Sequence, residues 1–217
     1  MAALGIQYYP VFFVTAMMLS LFPGPSTMYV VGRSVAQGRR AGLVSMFGVC
    51  GGTLCHVVAV AFGVSAIFAA SQMAFMIVKT VGAIYLAYLG IVLLVNRKSA
   101  ADHIDAVEPI PTSDWKTFAQ GSLTQILNPK VTLFFLAILP QFVVPTSAHA
   151  PLPFLVLGAT FVTTDLLWFS ILICLTSLAL STFRRSERAV DFMRRATGVL
   201  YISLGLALLR ERARATH

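Results

Sequence analysis

Asp165 stands near the middle of an apolar stretch from Leu152 to Leu180 and is the only acidic side chain within the long hydrophobic runs of this chain. A carboxylate at the centre of a bilayer costs about 3 kcal/mol on insertion scales, so such a residue belongs to a functional site by default. It can hold a proton or pair with a cationic group of a cargo, and exchanging one for the other is transport chemistry. Two further groups carry chemistry of a different kind. Phe22-Pro23-Gly24-Pro25 and Leu127-Asn128-Pro129-Lys130 each interrupt an apolar run with residues that break a helix. Proline lacks the N–H and clashes with the preceding turn, and Gly24 between two prolines removes the remaining steric bias toward helix. Backbone groups freed at membrane depth must face protein or a water-filled cavity. A helix restarting there aims its N–H groups and positive dipole end into that cavity, where a substrate carboxylate can bind. Asn128 is a natural cap for a half-helix beginning at Pro129, and Lys130 adds a cation beside it.

His56 is the second polar anomaly. Gly48, Gly52 and His56 recur every four residues, on one face of a helix, where two glycines let a neighbouring helix approach closely. The imidazole at that seam serves as a proton relay with Asp165, as a donor to substrate, or as an interhelical hydrogen bond. Around the carboxylate, Gly158, Phe161, Asp165, Trp168 and Leu172 share a helix face, placing an aromatic ring on either side of it. Lys79 and Arg195 lie near helix ends, where long side chains snorkel to the interface, and no function is assigned to them.

The elements that position these residues must be membrane helices. Of 217 residues, 58% are hydrophobic and 11% charged, and the mean hydropathy is +0.83, more apolar surface than a soluble core can hide. The net charge of +8 comes from basic residues clustered between hydrophobic runs, a pattern of membrane topology and not of nucleic-acid binding. Cys50, Cys55 and Cys174 have neither zinc nor disulfide spacing and are expected as buried thiols packed like small apolar side chains. With no Lys or Arg before the first apolar run, a cleaved signal is not expected. Six segments of spanning length fall near 8–31, 42–65, 74–95, 119–143, 152–180 and 196–210, the last of them short. Basic connections follow the first, third and fifth, and the intervening ones near 66–73 and 144–151 have no Lys or Arg, which puts the N-terminus outside. Arg210, Arg212 and Arg214 oppose that assignment.

The two helix-breaking groups recur at an offset of 104 residues, and Gly82-Ala83-Ile84-Tyr85-Leu86 has a counterpart in Gly198-Val199-Leu200-Tyr201-Ile202. Three spans per repeat, an odd number, place the halves upside down relative to each other, as in many secondary transporters. The expected fold is an all-α integral membrane protein. Its six transmembrane helices form two inverted three-helix repeats with interrupted first and fourth helices. The chain reads as a single membrane transport domain over 1–217, with repeat 1 at about 8–95, a cytoplasmic loop at about 96–118 and repeat 2 at about 119–210.

Phe22 to Thr27, Gly32-Arg33-Ser34 through Gly38-Arg39-Arg40-Ala41-Gly42, Leu127 to Lys130 with Phe134-Phe135-Leu136 and Leu139-Pro140-Gln141-Phe142, and Asp165-Leu166-Leu167-Trp168 together resemble the LysE/RhtB family of amino-acid exporters, in order and over nearly the whole chain. The resemblance implies a bacterial inner-membrane efflux carrier that exchanges amino acids against protons, often as a homodimer. Its homoserine, threonine or leucine branch fits the two-proline motif better than the lysine branch. It implies Pro23, Gly24, Pro25, Asn128, Pro129 and Asp165 as the positions to test, and with the residues read above the expected sites are Asp165 and His56 for substrate and proton and Pro23, Gly24, Pro25, Thr27, Asn128, Pro129 and Lys130 for a broken-helix substrate site. No cofactor or metal is expected, and no phosphate-binding Gly-Lys-Ser/Thr loop is present. Two rival readings are an exporter of heavy metals or other cations, for which Cys55 and His56 point to different helix faces, and an intramembrane hydrolase, for which only Ser26 with His56 offers a dyad.

Overall fold

The computed structural model describes residues 4–21, 24–64, 72–95, 113–144 and 151–183, with residues 195, 199, 202, 203 and 206 singly. The expected sixth span at 196–210, the Gly198–Tyr201 half of the second repeat motif, Phe22 and Pro23, and the loop to residue 112 lie outside the described residues apart from those single positions. The described residues are almost wholly helical, and their one strand-like feature is an isolated antiparallel bridge between Ile6 and Val143. Helices α1 (Tyr9–Leu21), α2 (Pro25–Ala59), α3 (Gln72–Val95), α4 (Asp114–Ile126), α5 (Pro129–Leu133) and α6 (Leu152–Phe183) follow in order. A π-turn (Val60–Val64) extends α2, and a π-turn and a 3₁₀ turn carry α5 on to Phe142. By length and composition Pro25–Gly63 and Leu152–Thr176 can cross a membrane, the first of them divided into two limbs at Gly38, and α4 with the segment to Phe142, bent by 48° at its break, makes a third candidate.

The stretch 32–41, expected as a connection, is helical on both sides of Gly38, whose φ of 85° and ψ of 179° only glycine adopts readily. The chain doubles back there. Ser34 faces Gly42 across the bend, and Ser26 and Thr53, from opposite limbs, both bond Gln125 of α4. One residue suffices as a connection because the limb before it is already committed to helix by the restart at Pro25. Arg33, expected in a basic loop, is buried, with one Nη on Gln120 Oε1 at 2.8 Å and its guanidinium over the Tyr29 ring. Helix α4 likewise starts earlier than expected, at Asp114, because Ser113 accepts the Lys116 N–H as its N-cap.

Two broken segments run antiparallel beside each other. Thirteen residues of α1 rise about 20 Å, too little alone for a hydrocarbon core of about 30 Å, but enough when continued by the first limb of α2. Opposite them lie α4 and α5, paired from Arg33–Gln120 through Ser26–Gln125 and Leu19–Lys130 to the bridge at Ile6–Val143. The end of α1 at Leu21 and the start of α2 at Pro25 thereby lie beside the break at 127–128, in the middle of the pair. On one side of the meeting point Phe12, Phe134, Phe135, Phe154 and Phe161 form a buried aromatic cluster, and on the other Val30, Met46, Val49, Phe169 and Ile173 form a second core. The glycine face of α2 is as tight as its spacing predicts, since a Cβ on Gly48 would collide with the Phe118 carbonyl and one on Gly52 would lie 2.6 Å from the Ser122 oxygen. Phe47, Leu54, Phe62, Ile84 and Leu167 point outward, as lipid-facing side chains do. Cys50 is buried as expected, but Cys55 and Cys174 are exposed, because their helix positions face away from the bundle.

Candidate functional site

A proline at a break removes the N–H that would bond the carbonyl four residues earlier, and for Pro23 and Pro129 a side chain serves the carbonyl concerned. Pro23, having no N–H, cannot serve the Leu19 oxygen, and Lys130 Nζ donates to it at 2.8 Å. Pro129 cannot serve the Gln125 oxygen, which accepts from the Asn128 N–H at 3.1 Å and from His56 Nε2 at 3.1 Å. A carbonyl only accepts, so Nε2 carries the proton in this contact. The His56 ring also stacks on Phe135, with centroids 5.8 Å apart.

A narrow cavity lies where the breaks meet, with room for about one water molecule. Asp165 enters it from α6, Lys130 and Asn128 from the second break, and Gly24, Ser26 and Thr27 from the first. Asp165 is 4% exposed, and one of its oxygens, Oδ1, accepts the Ser20 hydroxyl at 2.6 Å. Lys130, 7% exposed, is near enough for its charge to interact with that of Asp165. The two half-helices that begin here differ. Asn128 Oδ1 accepts the Lys130 N–H at 3.1 Å and caps α5, whereas Gly24 leaves α2 without a side-chain cap. Gln125, 1% exposed, ties the site together: Oε1 accepts from Ser26 Oγ and Nε2 donates to Thr53 at 2.7 Å, while Asn128 Nδ2 donates to Ser26 at 2.9 Å.

Of the residues singled out from sequence, Gly24, Thr27, Asn128, Lys130 and Asp165 line one cavity, and Pro25 and Pro129 open the half-helices beside it. Pro23 lies outside the described residues. His56 does not line the cavity with Asp165, and among its three expected uses it makes the interhelical hydrogen bond. Trp168, expected beside the carboxylate, packs instead against the second core. The rings lining the cavity are Phe161 and Phe169, each one turn from Asp165. Ser20, Gln125, Thr53 and Thr164 carry the site as well. Their signal in the sequence is a polar side chain inside an apolar run, sharpened for Gln125 by a proline four residues on. Ser26 bonds Gln125 and Asn128, so the described contacts give it no histidine partner. Among the described residues no group of three or more His, Cys, Asp or Glu is placed to hold a metal ion.

The chain belongs to the LysE type translocator family, whose model matches residues 17–212. It is therefore a membrane translocator. It is 32% identical over 212 residues to an uncharacterized membrane protein of Vibrio cholerae, covering 97% of this chain and all of that one. It is 28% identical over 209 residues to the homoserine/homoserine lactone efflux protein of Salmonella typhimurium, covering 95% and 98% of the two chains. An uncharacterized Bacillus subtilis membrane protein, YrhP, is 29% identical over 210 residues. No solved structure matches the chain.

Proposed function

We propose that this protein exports neutral amino acids, of the homoserine, threonine or leucine kind, across a bacterial inner membrane in exchange for protons. The observation that carries the reading is a narrow cavity at the junction of two broken helices, lined by a buried carboxylate, a buried ammonium and a helix N-terminus without a side-chain cap. A zwitterion needs just these partners. Its carboxylate goes to the N–H groups at the start of α2, which has no side-chain cap, and its ammonium to Asp165 and the hydroxyl that holds it. The efflux activity in the Salmonella relative's name fits such a cargo. The six-helix, twice-repeated and inverted arrangement accounts for the antiparallel pairing of the breaks, and it is part of this proposal.

Coupling follows from competition. Asp165 cannot keep a proton and an ammonium together, so loading of cargo releases the proton and reprotonation releases cargo on the other side. The cavity has room for about one water, so an amino acid enters only when the helices part. Efflux from amino-acid-loaded vesicles carrying the purified protein tests the reading, with and without a proton gradient. Gradient-driven efflux of neutral amino acids, abolished by Asp165→Asn in a variant that still folds, is the expected result. Flux indifferent to Asp165→Asn, or no amino-acid flux from folded wild type, removes it.

A further inference from the structure

Lys130 holds an unusual position for an ammonium. Its Nζ donates to the Leu19 carbonyl at 2.8 Å, and its charge interacts with Asp165 within the same cavity. The exporter reading, on which this argument rests, gives the buried carboxylate to a substrate's ammonium, and the Leu19 carbonyl, which Pro23 cannot serve, lines the same cavity as a further acceptor for such a cation. The lysine head and the α-ammonium of an amino acid are the same kind of compact, three-donor cation. A cavity with room for about one water holds only one of them beside Asp165.

We infer that Lys130 is a tethered occupant of the ammonium subsite, which substrate must displace in order to bind. In the empty carrier the lysine keeps a buried carboxylate and an orphaned carbonyl from standing without a cation. When substrate arrives, the four-carbon stem lets the released head turn a short way. A Cβ on Gly24 would lie 3.5 Å from Nζ, so the lysine already borders the uncapped start of α2, where the substrate carboxylate goes. One residue thus serves the empty site as a substitute ammonium and the loaded site as a partner for the carboxylate.

The inference separates ligands with and without a carboxylate. Threonine and leucine methyl esters and homoserine lactone keep the ammonium and lack the carboxylate, so for them Lys130 is a competitor only. Binding of these three, and of threonine, leucine and homoserine, is measured calorimetrically on purified wild type, Lys130→Met and Lys130→Arg. In Lys130→Met the esters and lactone bind roughly tenfold tighter, the change expected when a competitor held by one charge-assisted hydrogen bond is removed. The free amino acids, which lose a partner as they lose a competitor, change less. Lys130→Arg retains a tethered cation with more donors and weakens ester binding several-fold, which decides the matter if the methionine variant does not fold. Ester affinity that is unchanged or weaker in folded Lys130→Met, or unchanged or tighter in Lys130→Arg, overturns the inference while leaving amino-acid export intact. Wild type that binds none of these compounds overturns the exporter reading, and the inference falls with it.

Discussion

Replacing Gly52 by alanine tests the seam on which the site is built. The new methyl would sit 2.6 Å from the Ser122 carbonyl oxygen and 2.7 Å from Gln125 Cβ, where ordinary contact begins near 3.4 Å. Neither obstacle can rotate away, since one is backbone and the other the first carbon of a residue 1% exposed and held by three partners. The helices must therefore part by somewhat under about 1 Å, and overpacking of this kind costs about 1–3 kcal/mol, here at the upper end. For a chain of this size that lowers the midpoint of thermal unfolding by about 4–10 °C. Gly51→Ala and Gly63→Ala are the controls. At Gly51 the nearest atom is the mobile tip of the Phe118 ring at 3.2 Å, and at Gly63 nothing lies within 4 Å. Unfolding in detergent is followed by circular dichroism, with efflux measured on the same preparations. Gly52→Ala also shifts Gln125, and with it Ser26 and Asn128, so its efflux falls further than its stability alone would dictate. A Gly52→Ala protein as stable and as active as Gly63→Ala would refute the claim that α4 is clamped onto α2 at this point.

His56→Leu removes one of the two donors to the Gln125 carbonyl, the Asn128 N–H remaining, and lowers stability by about 0.5–1.5 kcal/mol, the net worth of one hydrogen bond. Adding Pro129→Ala returns a backbone N–H to the same oxygen, so a double-mutant cycle shows rescue, and purely additive losses would contradict the assignment. Gly38→Ala forces a side chain into a conformation at φ 85° that costs about 1–3 kcal/mol, although nothing lies within 4 Å of its Cβ. Its unfolding midpoint falls while contacts elsewhere are untouched, and an unchanged midpoint would mean that the bend is not fixed.

The parts of the fold that were legible in the sequence are those with large local energies. A carboxylate inside an apolar run, prolines inside spans and glycines at helical spacing each carry a penalty that only one kind of environment relieves, and Asp165, Asn128-Pro129 and Gly48/Gly52 stand in such environments. What was not legible depends on partners distant in the chain. Nothing local distinguishes Gln125 from any polar residue near a helix end. Its position between Ser26 and Thr53 arises only when both limbs of α2 lie against α4. Arg33 was read as a loop residue because basic side chains mark connections, but the one-residue bend at Gly38 left no loop and Gln120 with Tyr29 took the charge inside. His56 and Trp168 lay on the expected faces, yet a helix face spans enough arc that neither reached the cavity.

The two breaks look alike in sequence and differ in chemistry. At Asn128-Pro129 the half-helix is capped by its own asparagine, and the Gln125 carbonyl is satisfied by a backbone N–H and a histidine, so the capped N–H and this carbonyl are both met from within the protein without a charged group. At Gly24-Pro25 the half-helix begins without a side-chain cap, and the stranded carbonyl depends on a charged lysine carried by the other break. The first arrangement is closed; the second leaves an anion site open and fills a cation site with a group that can move. A pair of breaks related by a repeat would offer two equivalent places for a zwitterion. The substitution of a capping asparagine for glycine, and of a serviced carbonyl for a borrowed one, reduces them to one.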